Sequence, residues 1–258
     1  MRVLLATDGS THAEEAAWLL AHLPHPEKMD LAILSVYQPS DMHRSLETVE
    51  WIKRDLQARR VGAQGACDRI KSMFEGANVE LSSVIAEGHA GKTIVETAEE
   101  AKADLVIVGA KGHTVLDRLT LGSVSDFVAT NAHCSVLVVR PTGLREPGHR
   151  ELKLCLAYDD SEPSRLAVGQ LGTFEWRKNT TIDVVSAFST AYTYMGEPII
   201  FDPATVEDAT REVNERAIEQ LQSNFETVNS QLVESSHAGD GIVQFAGEHS
   251  TDIIVLGD

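Results

Sequence analysis

Asp104-Leu105-Val106-Ile107-Val108 leads into Gly109-Ala110-Lys111-Gly112, and nine residues further on stand Gly122-Ser123-Val124-Ser125-Asp126. The apolar run has the length and β-branched character of a buried parallel strand, and the second cluster reads as a helix start with Ser123 as its cap. The span between them is therefore a strand-to-helix connection, which already suggests an α/β sheet. Glycines there let a ligand approach peptide N–H groups. At a helix start those groups lack internal partners and carry the positive end of the helix dipole, so the place suits phosphate. Lys111 adds a mobile positive charge over the same anion.

Working outward, the chain alternates strand and helix patterns. Arg2 to Ala6 is an apolar strand ending in Thr7-Asp8-Gly9-Ser10, and Thr11-His12-Ala13-Glu14 has the form of a capping box. Leu31 to Val36 is a second strand. A long polar helix is expected from about Ser45 to Phe74, interrupted near Gly62 to Gly65. A third strand near Val79 to Ala86, a helix over Thr93 to Ala101, a short helix ending near Asn131 and a strand at Cys134 to Val139 follow. Such alternation predicts a parallel sheet covered on both faces.

Pro141 to His149 is rich in turn formers and reads as a linker, after which the pattern restarts. Leu152 to Ser161 repeats the first ten residues, with Asp159 at the place of Asp8, and Ile182 to Phe188 repeats Leu31 to Tyr37. His237 to Ala246 repeats His89 to Ala98, and Thr251 to Gly257 repeats Ala103 to Gly109. The chain is thus a tandem duplication, divided as 1–140, a linker at 141–150, and 151–258. The second half has no counterpart of Gly122 and Ser123, nor of the helix and fifth strand after them. Either it is a degenerate, non-binding repeat or the natural chain continues beyond Asp258.

The spacing Gly109-x2-Gly112-x9-Gly122-Ser123 is similar to that of the universal stress protein family, where it marks members that bind ATP. Both halves resemble that family, which implies two tandem open parallel-sheet domains of adenine-nucleotide-binding type, the second lacking its last helix and strand. The resemblance implies a nucleotide site built from Ala6, Thr7, Asp8, Val36, Val108, Gly109, Lys111, Gly112, Gly122, Ser123 and Val124. Asp8 matches the family aspartate that contacts the nucleotide, through ribose or through Mg²⁺ shared with the phosphates. Val36 matches the position whose backbone meets adenine. Asp159, without a phosphate loop, is expected to be structural. The resemblance further implies ATP, or ADP or AMP, with Mg²⁺, a regulatory role in the stress response through an unknown protein partner, and pairing of fifth strands in a homodimer.

Composition narrows the classes. The net charge of −17 repels nucleic acid and anionic lipid, and no apolar run approaches the ~20 residues of a membrane span. Three cysteines without Cys-x-x-Cys spacing suggest neither a disulfide frame nor a zinc site, and with no signal-peptide pattern the cytoplasm is expected. His22 and His25 flank a proline, which disfavours a helical metal pair. No P-loop, dinucleotide turn, nucleophile elbow or His-Glu-x-x-His is present. The alternatives to a nucleotide-dependent regulator are a slow ATP hydrolase or phosphotransferase, and a nucleotide-free interaction module.

Overall fold

A computed structural model describes residues 1–38, 48–111, 121–141, 152–194, 197–200 and 202–257. The chain divides into two compact units, Met1–Pro141 and Thr142–Asp258. The linker expected at 141–150 lies outside the described residues but for Pro141, as do Gly112 and His113.

In the first unit, β1 (Arg2–Ala6), β2 (Met29–Tyr37), β3 (Val79–Glu87), β4 (Leu105–Gly109) and β5 (Ser135–Val139) form one all-parallel sheet in the order β3-β2-β1-β4-β5. Strand side chains alternate between faces. Leu4, Ala6, Val106 and Val108 point to the face covered by α3 (Ala90–Glu100) and α4 (Ser123–Asn131), where they pack with Ile94, Ala98 and Val128. α1 (Thr11–His22) and α2 (Thr48–Met73) cover the other face, and with both faces buried the strands need no polar alternation.

Two details of the helices differ from the sequence reading. α2 is continuous through Gly62 and Gly65. Its buried residues Ala63, Ala66, Cys67 and Ile70 follow helical spacing, and their packing outweighs the ~1 kcal/mol that each interior glycine costs. At α1 the cap is Ser10, whose hydroxyl accepts the Ala13 N–H at 3.3 Å, rather than a box built on Thr11. Glu14 instead accepts a bond from Arg69 Nε at 3.2 Å.

The second unit repeats the plan with β6 (Lys153–Ala157), α5 (Glu162–Leu171), β7 (Thr181–Phe188), α6 (Pro203–Leu221), β10 (Thr227–Glu234), α7 (Ala238–Glu248) and β11 (Ile253–Val255). Its parallel sheet runs β10-β7-β6-β11, the order of the first sheet without a fifth strand. A two-stranded antiparallel hairpin, β8 (Ala191–Tyr194) and β9 (Glu197–Ile200), precedes α6 and has no counterpart in the sequence reading. Leu154, Leu156, Ile182, Val184, Leu221 and Phe225 form the core on one face.

Gly109 and Gly257 show the duplication at atomic scale. A Cβ on Gly109 would lie 2.8 Å from His12 C and 2.9 Å from Ala13 N, and one on Gly257 would lie 2.2 Å from Pro163 C. Both glycines let the fourth strand of the repeat end against the first turn of its first helix.

Candidate functional site

In the first sheet the strand order reverses between β1 and β4, so their connections leave in opposite directions and open a crevice at the carboxyl edge. A cleft of about 1040 Å³ lies there. Ala6, Thr7, Asp8, Val36, Val108, Gly109, Lys111, Gly122, Ser123 and Val124 all line it, so the structure brings together every described residue expected at the site. Gly112 lies outside the described residues.

The start of α4 supplies donors. Gly122, not Ser123, is the cap, and no side chain caps the helix. The first amide to bond back is that of Asp126, to Gly122 O at 2.9 Å. The N–H groups of Ser123, Val124 and Ser125 therefore meet no acceptor among the described residues. The Ser125 hydroxyl, which could have competed for them, bonds Ala110 O at 2.8 Å and Gly122 O at 2.9 Å instead. Gly122 N–H donates to the same Ala110 carbonyl at 2.8 Å. These bonds pin the turn to the end of β4 while leaving the amides open.

Lys111 stands beside them. It is only 8% exposed, yet its ammonium has no hydrogen bond or ion pair among the described residues. An anion in the cleft would give that ammonium a charge-assisted hydrogen-bond partner. On the β1 side, Asp8 Oδ1 accepts the Ser10 N–H at 2.9 Å, which fixes the carboxylate at the mouth of the crevice. Gly9 follows with φ +78°, a left-handed turn that leads the chain away from the cleft into α1.

Sequence reasoning missed the wall formed by α2. Arg59, Gly62, Ala63, Ala66 and Arg69 line the cleft from a single helical face. The spacing was legible, but nothing local tied that face to a loop some fifty residues away.

The matching position of the second unit is smaller and is braced by the unit's own side chains. A hollow of about 380 Å³ remains, lined by Tyr158, Asp159 and Ser186 among others. Asp160 takes the left-handed turn of Gly9, with φ +61°, and is held by Arg165, Arg216 and the Tyr158 hydroxyl, the last at 2.9 Å. Asn214, fully buried where the first unit has Ala63, donates to Val184 O, Ser230 Oγ and Gln231 O at 3.0–3.2 Å and bonds Ser186. Hydrogen bonding from Ser161 holds the Asp159 carboxyl below the usual carboxylate range. Asp160 and Asn214 are thereby engaged by groups of the unit itself.

A family model described as the universal stress protein family matches residues 1–140, more than half of the chain. The chain belongs to the universal stress protein family. A universal stress protein of Methanocaldococcus jannaschii is 33% identical over 139 residues, covering 54% of this chain and 81% of that protein. One from Thermus aquaticus is 31% identical over 140 residues, covering 54% of this chain and 97% of its own length. Among solved structures, a universal stress protein of Archaeoglobus fulgidus aligns over 98% of this chain and 83% of its own, with a TM-score of 0.64 at 15% identity, a likeness of fold. For this universal stress protein the family match falls on the unit with the open cleft. No helix among its described residues is long and apolar enough to cross a membrane.

Proposed function

We propose that the first unit binds an adenine nucleotide, with ATP as its ligand, and that occupancy governs this cytoplasmic protein's contacts with a partner in the stress response. The carrying observation is that one cleft holds three α4 amides and the Lys111 ammonium, none of which meets a hydrogen-bond partner among the described residues. Donors of this kind bind the anionic tail, and family membership supplies adenine as the base. Ala6, Thr7 and Val36 line the inner cleft, where the base and ribose would lie.

Asp8 is a single carboxylate at the crevice mouth, which suits Mg²⁺ bound mainly by phosphate oxygens and water. There the ion would neutralise phosphate charge. Isothermal calorimetry of the purified protein with Mg-ATP tests the reading. Binding is expected, weakened at least tenfold, about 1.4 kcal/mol, by Asp8→Ala. Absence of heat at millimolar nucleotide overturns it.

β5 pairs only with β4 among the described residues, so its outer edge offers unpaired peptide groups. Pairing with β5 of a second copy covers that edge, and light scattering at micromolar concentration is expected to report a dimer.

A further inference from the structure

α2 runs from the carboxyl end of β2 back to the start of β3. Near its C-terminal end Arg69 reaches the carboxyl edge, with Nη2 3.0 Å from the place a Cβ on Gly9 would take. Arg59, ten residues earlier, therefore lies ~15 Å further along the helix, beyond the strand ends. Between the two, Gly62, Ala63 and Ala66 present almost no side chain to the cleft. The face is a flat apolar strip with a guanidinium at each end.

Among the described residues each arginine side chain is tied down by its Nε alone. Arg59 Nε donates to Asp55 at 2.7 Å and Arg69 Nε to Glu14 at 3.2 Å. Each guanidinium has five donor hydrogens, so these bonds orient the group and leave its Nη side available. Stability alone does not account for the placement, because half-exposed pairs of this kind contribute at most about 1 kcal/mol. Among the described residues lining the cleft stand three cations, Arg59, Arg69 and Lys111, and the carboxylate of Asp8, with Asp55 and Glu14 each bonded to the Nε of one arginine, in a chain whose net charge is −17. In the second unit the same helical positions hold Thr210 and Gln220, so neither arginine is repeated there.

The two sets of cationic groups lie on opposite sides of the crevice. The α4 amides and Lys111 flank β4, whereas Arg69 stands over Gly9 at the end of β1 and α2 walls the β2 side. We infer that this cleft selects a nucleotide with anionic groups at two ends, one phosphoryl chain on the 5′ position and a further phosphate on a ribose hydroxyl, the latter held by Arg69. This rests on the nucleotide reading above and adds a ligand class to it. Asp8 would repel a ribose phosphate by itself. Its carboxylate is engaged with the Ser10 N–H, and Arg69 beside Gly9 supplies the compensating charge.

Calorimetry with adenosine 5′-monophosphate, adenosine 3′,5′-bisphosphate and adenosine 2′,5′-bisphosphate as probes tests the inference on the full chain. One bisphosphate is expected to bind at least about tenfold tighter than the monophosphate. That ratio is expected to fall towards one in Arg69→Ala and to drop in Arg69→Gln, which serves should the first variant misfold. Lys111→Met, acting at the other end, should weaken all three probes together. Bisphosphates that bind no tighter than the monophosphate overturn the inference and leave the nucleotide reading intact. Failure of all three probes to bind overturns both.

Discussion

Replacing Lys111 by methionine separates a binding role from a structural one, because the two roles predict opposite changes. Methionine keeps an unbranched apolar stem of similar length and removes the charge. In the unliganded protein the Lys111 ammonium has no hydrogen bond or ion pair among the described residues, so removing it breaks no described contact. The urea midpoint of the variant is therefore expected to equal that of the parent. With nucleotide bound, the ammonium forms a charge-assisted bond to phosphate worth about 1.5–3 kcal/mol, so its loss raises Kd about 10- to 150-fold. Calorimetry with Mg-ATP reads the second quantity and urea denaturation the first. The affinity gap should also narrow as salt is raised, since the cleft is open to solvent and ions screen the contact. A variant that binds ATP within twofold of the parent, or that loses more than about 1 kcal/mol of stability without ligand, refutes the assignment.

Four further outcomes follow from the packing. Gly109→Ala places a methyl 2.8–2.9 Å from the backbone of His12 and Ala13, and is expected to cost about 1–3 kcal/mol in chemical denaturation; an unchanged midpoint would show that α1 yields freely. Asn214→Ala strips the buried network of the second unit and should cost about 2 kcal/mol or more, while ATP affinity of the first unit stays put. Asp159 and Asp160 have carboxyls held below their ordinary value, by Ser161 for the first and by the Tyr158 hydroxyl, Arg165 and Arg216 for the second. Their stabilisation is complete above the unfolded-state value near ~4 and is lost as pH falls below it, so denaturation followed from about pH 5 down to about pH 3 should show Asp160→Asn less acid-sensitive than the parent. At the other extreme, burial and the bond to Asp160 push the Tyr158 hydroxyl up to about 12. The contribution of that group is intact below the ordinary tyrosine value near ~10 and disappears as pH climbs through 12, which absorbance titration of tyrosinate would follow.

The fold was legible wherever a short apolar run stood between turn residues, because a strand buried on both faces needs only such a run. Leu105 to Val108 and Leu154 to Leu156 are of this kind. Duplication made the second unit readable by comparison with the first. Long-range packing was less legible. The glycines of α2 argued for a break, and only the burial of Ala63, Ala66, Cys67 and Ile70 against the sheet shows why the helix persists. Ser123 was the natural cap by residue type, yet Gly122 takes the position, since the turn is held by the bonds that Ala110 O accepts from Gly122 N–H and the Ser125 hydroxyl. The hairpin Ala191–Ile200 carries no alternation strong enough to announce it. Arg59 and Arg69 were invisible as site residues, because their relation to Gly9 exists only once α2 has folded back over β2.

The replacement of Gly9 by Asp160 at a shared left-handed turn has a thermodynamic consequence. The proposed site of the first unit leaves donors unspent, so a nucleotide bound there is expected to raise that unit's resistance to unfolding by RT ln(1 + [L]/Kd). At the matching turn the second unit engages Asp160 with its own Arg165, Arg216 and Tyr158. In a melting experiment with added nucleotide, the transition of the first unit should therefore move further than that of the second.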